Sequence, residues 1–148
     1  HMILWGHEHE SIPNLEESEA RGLSIYQPGS TIPTSIKRSE GLPKHAGILK
    51  FSKKGIKLDP VFLTHQRNII IEEINFDRSM FAGVKNVEEA LVQRIVQKHS
   101  LENQKNDSLL PLLRIKMNVR HDDVPNIFEL EQGISSYVAN RGEVFLIR

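Results

Sequence analysis

RNIIIEEIN at residues 67–75, NVEEALVQRIVQK at 86–98 and PLLRIKMNV at 111–119 decide the fold class, because each carries a different hydrophobic period. The first holds three successive isoleucines, Ile69 to Ile71, and reads as a strand buried on both faces, the pattern of a sheet covered by helices. In the second, Val87, Leu91 and Ile95 recur at helical spacing, and Val92 and Val96 widen the apolar stripe. Asn86 offers an N-cap, Glu89 stands at the capping-box position and Glu88 suits the positive end of the dipole. A helix is therefore expected over residues 87–99, closed by the polar stretch 100–108. In the third, Leu113, Ile115, Met117 and Val119 alternate with Arg114, Lys116, Asn118 and Arg120, a half-buried strand with a basic outer face. Ile127, Leu130, Ile134 and Val138 mark a second helix, interrupted by Gly133 and ended by Asn140 or Gly142; Val144 to Ile147 is a last strand. Residues 67–148 thus predict strand, helix, strand, helix, strand: an α/β (α+β) unit with a mixed sheet.

Upstream the signal is β throughout. Ile3 to Trp5 is a short apolar run stopped by Gly6, which reads as a buried strand with Trp5 in the core. SIPNLEESEARG, residues 11–22, reads as a surface loop, and Leu23 to Gln27 as a strand ended by Pro28-Gly29-Ser30. HAGILKF at 45–51 and IKLDPVFL at 56–63, joined by Lys53-Lys54-Gly55, form a hairpin signal in which Pro60 points to a bulge or an edge. The expected division is residues 1–66 and 67–148.

Composition excludes several classes. The chain has 148 residues, 39% hydrophobic and 26% charged, enough for a core without staples. Its apolar runs fall short of the ~20 residues that cross a bilayer. Cysteine is absent, which rules out disulfides and thiolate chemistry and fits a reducing compartment. Nineteen basic and nineteen acidic residues cancel, so this is no basic nucleic-acid coat. Charge is nevertheless segregated: net −4 over residues 1–30, +6 over 31–67 and −2 over 68–148. A basic block of that kind attracts phosphates or forms a solvated edge. The His1-Met2 start resembles an expression remnant, and ILWGHEHE is no signal peptide.

Gly6-His7-Glu8-His9 is the string with most chemistry in it. Histidines at i and i+2 leave a strand on the same side, and the glycine lets the backbone turn, so both imidazoles can converge on a metal. Neutral imidazole suits manganese, iron or zinc. The same pair also fits two exposed histidines at a loop mouth. Ser30, Thr31 and Thr34 either line that cleft or satisfy turn donors after Pro28-Gly29. His65, His99 and His121 have no partner spacing and read as surface residues.

The order strand, GHxH, loop, strand, PGS resembles the way calcineurin-type metallophosphoesterases close a two-metal site. More specifically, WGHEHE, YQPGSTIPTSI and PKHAGIL resemble the eukaryotic double-strand-break repair nuclease of the meiotic recombination complex, a relative of bacterial SbcD. PLLRIKMNV resembles that family's PLxRLRVDY strand, and YVANRGEVFLI its RVANPKDIIHF, so the resemblance spans essentially the whole chain.

The resemblance implies partial phosphoesterase strands over residues 1–66 and a small capping domain with two helices over 67–148. It implies hydrolysis of DNA phosphodiesters with two Mn2+ ions, His7 and His9 each ligating one of them. The family's Asp-x-His, Gly-Asp, Gly-Asn-His and isolated histidine motifs all precede this segment, so no catalytic residue is expected in this chain and it is expected to be inactive alone. Phosphate contacts are expected from Lys37, Arg38, Lys44 and His45 and, on the alternating strand, from Arg114, Lys116 and Arg120. Implied partners of the intact protein are DNA ends, a coiled-coil ABC-type ATPase and an Nbs/Xrs-type subunit, in the nucleus, with no membrane and with the fragment a monomer or weak dimer. The segment that grips the ATPase coiled coil is expected beyond residue 148. Ser11 replaces a family cysteine, a change expected to matter little, and Ser135, Ser136 and Tyr137 replace basic residues, which puts DNA contact there in doubt. Two alternatives stand beside this: a compact active phosphoesterase, and a non-enzymatic interaction module that self-associates and ignores DNA.

Overall fold

The computed structural model describes residues 1–18, 22–104, 109–120 and 122–148. It is a mixed α and β structure in two compact units, residues 1–66 and 67–148.

In the first unit, β1 (Met2–Leu4) runs parallel to β3 (Leu23–Tyr26), with Met2 opposite Ser24 and Leu4 opposite Tyr26. On the other side of β3 lies β2 (Glu16–Ser18), antiparallel, within the stretch that reads as a surface loop. That stretch is polar because β2 is a three-residue edge strand with little to bury. Trp5 is not in a core: half of it is exposed, beyond the end of an edge strand. The hairpin forms as expected from β4 (His45–Ser52) and β5 (Gly55–Phe62). Its register runs unbroken from His45 opposite Phe62 to Ser52 opposite Gly55, so Pro60 makes no bulge; each strand of a two-stranded sheet has a free edge where a missing N–H is tolerated. Gly47 lies directly under the Tyr26 ring: a β-carbon there would sit 2.2 Å from the phenolic oxygen.

The second unit contains β6 (Ile69–Asn75), α1 (Val87–Lys98), the single turn α2 (Leu101–Gln104), β7 (Leu112–Asn118), α3 (Ile127–Ile134) and β8 (Phe145–Ile147). Asn86 caps α1 by accepting the Glu89 N–H at 2.9 Å, and His99 ends it. The sheet is ordered β6-β7-β8 and every described pair is parallel, not mixed. Two strand–helix–strand crossovers stepping the same way across a sheet, both right-handed, put their helices on the same face. The packing agrees, since a β-carbon on Gly133 of α3 would lie 3.0 Å from Val92 of α1. The glycine that interrupts the helical pattern is what lets the two helices approach.

Among the described residues, fourteen buried apolar ones form the core of this unit, including Leu91, Ile95, Leu113, Ile115, Met117, Leu130 and Val144. Ile70 and Ile74 pack against it, whereas Ile69 and Ile71 point the other way and are only partly covered. The isoleucine run is therefore an edge strand half-buried on both sides rather than a central one. Helix α3 is shorter than its apolar spacing predicts, ending at Ile134, with Val138 buried beyond it. Asn140 does not simply end a helix. Its amide accepts from Leu113 N at 2.9 Å and donates to Leu113 O at 2.8 Å, imitating a strand neighbour of β7. The Glu131 carboxylate receives the N–H groups of Gly142, Val144 and Phe145, fastening the entry to β8. No helix of the described residues is long and apolar enough to cross a membrane.

Candidate metal centre

Just past β1 the chain reverses on Gly6 to Glu8. Glu8 N donates to Gly6 O at 2.9 Å and His7 has φ +71°, which together make a γ-turn of the rarer, strained hand. A side-chain-bearing residue at that φ is costly, so its neighbours must hold it. They do so through the Pro28-Gly29-Ser30 turn. Gly29, at φ +70°, approaches so closely that a β-carbon would lie 2.5 Å from Glu10 O. Ser30 N and Oγ both donate to His9 O, at 3.2 and 3.3 Å. Trp5 to His9 and Pro28 to Ser30 line one open cavity of about 220 Å3, so both predicted imidazoles are on it.

His9 is anchored twice more. Lys44 Nζ donates to its carbonyl at 2.6 Å, and its ring Nδ1 lies 3.0 Å from Thr34 Oγ1. Thr34 Oγ1 donates in turn to Glu40 Oε1 at 2.7 Å, and Lys44 Nζ reaches Glu40 Oε2 at 3.3 Å. Glu40 and Lys44 are buried, 3% and 0% exposed, an ion pair one helical turn apart in sequence. Burial pushes the Glu40 carboxyl up, but hydrogen bonds from Thr34 Oγ1 and N and from Lys44 outweigh it and lower its pKa to about 2.

A second polar chain lies beside the first. His45 Nδ1 is 2.5 Å from Ser11 Oγ and its Nε2 3.0 Å from Tyr26 Oη, while Ser11 Oγ donates to Pro28 O at 2.8 Å. One tautomer satisfies all three: Tyr26 donates to Nε2, Nδ1–H to Ser11, and Ser11 to the carbonyl that opens the PGS turn. Burial lowers the His45 pKa and raises that of Tyr26, favouring both neutral forms.

These contacts correct two expectations. Lys44 and His45 are not surface cations awaiting a phosphate; they are buried and their polar atoms bond His9 O and Ser11 Oγ, beside the GHEH and PGS turns. Ser11 is not an indifferent replacement, because it is buried and links His45 to Pro28. Glu40 escaped notice in the sequence, although its i,i+4 spacing to Lys44 was a signal.

Lys37 and Arg38 are exposed on the loop that carries Thr34 and Glu40. Arg114 and Lys116 belong to the second unit, on the face of β7 away from the helices, opposite Ile71 and Glu73 of β6. Arg120 is exposed and 3.9 Å from Asp77. His65 is exposed, but His99 is not a free surface residue: it bonds the Glu72 carboxylate, which Lys98 also contacts. His121 lies outside the described residues. A larger cavity, about 400 Å3, is in the second unit between β6 and α1 and contains neither imidazole of the GHEH turn.

Two imidazoles fit part of a divalent metal's shell, and carboxylates are needed to complete one. Among the described residues no three or more histidine, aspartate or glutamate side chains gather to do so.

No family model matches the chain. Over 152 residues it is 28% identical to the double-strand break repair protein MRE11 of Oryza sativa subsp. indica, covering 98% of this chain and 22% of that protein. It is 35% identical over 82 residues to double-strand break repair protein mre-11 of Caenorhabditis elegans, covering 52% and 11%. Against double-strand break repair protein mus-23 of Neurospora crassa it is 33% identical over 73 residues, covering 49% and 10%. It therefore spans about a fifth of the rice relative's length. Along nearly all of its own length, the chain is similar to one segment of the MRE11 double-strand break repair proteins.

Proposed function

We propose that this chain is part of a manganese-dependent DNA nuclease acting at double-strand breaks in the nucleus. Residues 1–66 would close its phosphoesterase domain, with His7 and His9 as the last ligands of the metal centre, and residues 67–148 would be the capping domain that meets DNA ends. The observation that carries this reading is the strained turn at His7, followed at once by Gly29, Ser30 and Lys44 contacts to His9 and Glu10, with His7 and His9 on one cavity. Strain of that kind persists where the surroundings impose it, as at ligand sites. Manganese, when bound, supplies Lewis-acid polarisation of a phosphodiester. This chain's share is to position two imidazoles, while Lys37 and Arg38 offer charge to a backbone phosphate beside them. Arg114 and Lys116 would serve the capping domain in the same way. An ABC-type ATPase with a coiled coil and an Nbs/Xrs-type subunit are the partners this reading assigns to the intact protein.

Addition of Mn2+ to the chain, followed by NMR, is expected to broaden the His7 and His9 ring signals at low affinity, with no cleavage of duplex DNA. Duplex binding is expected to be weak and to fall with salt along a log–log slope of a few phosphates. Ring signals indifferent to Mn2+ would refute the metal assignment, and cleavage by the pure chain would favour the compact active phosphoesterase instead. Salt-independent self-association without DNA binding would favour the interaction module instead.

A further inference from the structure

We propose that Thr34 and Glu40 are positioning residues for His9, holding its ring with the proton on Nδ1 so that Nε2 presents its lone pair to the metal. The inference rests on the reading of His9 as a ligand given above.

Its argument is a count of hydrogens. Thr34 Oγ1 has one proton, and its 2.7 Å contact with Glu40 Oε1 uses it. Glu40 is an acceptor throughout, receiving Thr34 N at 3.2 Å, Ser35 Oγ at 3.4 Å and Lys44 Nζ at 3.3 Å besides the threonine hydroxyl. Thr34 Oγ1 is therefore left as an acceptor toward His9, and the 3.0 Å contact is satisfied only if Nδ1 is the donor. The remaining ring nitrogen, Nε2, is then unprotonated, the form a metal binds. The orienting carboxylate thus acts on the imidazole through a hydroxyl; its own distance to Nδ1, 3.9 Å, is too long for a hydrogen bond. Lys44 closes the arrangement by gripping both Glu40 and the carbonyl of His9, so the ring and its orienter are referred to one buried ammonium. A partner that merely filled space at the surface would need neither the buried ion pair nor the ordered hydroxyl.

Thr34 is exposed but its hydroxyl donates to the buried Glu40, so Thr34→Ser, which keeps that hydroxyl, is the control for any loosening of the buried pair. Two-bond proton–nitrogen NMR spectra of the full chain at about pH 8.5, where imidazoles are neutral, report which ring nitrogen of His9 carries the proton. The expected result is Nδ1–H in the parent and in Thr34→Ser, and loss of that preference in Thr34→Val. In a parallel Mn2+ titration, the concentration that half-broadens the His9 ring should rise roughly tenfold in Thr34→Val and return in Thr34→Ser. A proton on Nε2 in the parent, or a Thr34→Val titration that matches the parent, would overturn the inference while leaving the metal assignment standing. A His9 ring untouched by Mn2+ in the parent would instead remove the assignment, and the inference with it.

Discussion

The two units are held together by opposite means. Among the described residues, 67–148 bury fourteen apolar side chains in a sheet covered by two helices, whereas those buried in 1–66 are Tyr26, Ser11, Glu40, Lys44 and His45. Apolar packing is tolerant of chemistry and sensitive to volume. A buried polar network is the reverse, since each group left without its partner costs its desolvation. The first unit therefore commits its interior to polar contacts, one set reaching the His9 ring through Thr34 and the other the Pro28-Gly29-Ser30 turn through Ser11.

The largest test of that contrast is Ile115→Ala, which empties the middle of the β7 core face. It is expected to cost about 3–4 kcal/mol, lowering the denaturant midpoint of residues 67–148 while hydrogen exchange in residues 1–66 is judged separately. Glu40→Gln should do the converse. It leaves the Lys44 ammonium buried without its carboxylate, at a cost of about 3 kcal/mol, and amides around Ser30 and Thr34 should lose exchange protection while those of β7 keep theirs.

Acid should separate the units without mutation. The Glu40 pKa is lowered to about 2 from an ordinary 4.5, so the stability it adds is complete above the ordinary value and disappears as pH falls from 4.5 through about 2. His45 is buried neutral with its pKa lowered from 6.5, so the unfolded chain takes up its proton first and stability begins to fall below about that pH. Both signs run the same way, and the first unit is expected to lose structure on acidification in two stages. Far-ultraviolet signal from the second unit should persist through the earlier stage; simultaneous loss would contradict the contrast. The smallest effect is expected from Gly47→Ala, whose β-carbon must displace the Tyr26 ring. About 1–3 kcal/mol is expected, read as a lowered midpoint confined to the first unit.

How much of this was legible beforehand follows the same division. The helix cap at Asn86, the alternation of β7 and the hairpin over residues 45–63 all come from local rules of period, capping and turn chemistry, and they appear where those rules place them. The isoleucine run misled because a strand at a sheet edge and one at its centre can share a composition; only the pairing distinguishes them. Around the GHEH turn the histidines were visible as a motif. Thr34 reads there as a cleft or turn residue, but the buried supports Ser11, Glu40 and Lys44 were not legible as such, because they are polar residues far apart in sequence and burial of such groups is decided by tertiary pairing alone. Lys44 is the clearest case, a basic residue in a basic stretch whose charge is turned inward.

That inward turn has a use at the bench. An acylating reagent attacks free amines in solvent, so the exposed lysines, such as Lys50 and Lys57, should be tagged early and Lys44 late. Mass-spectrometric labelling of that one ammonium would then act as a clock for how often the loop around the imidazoles opens.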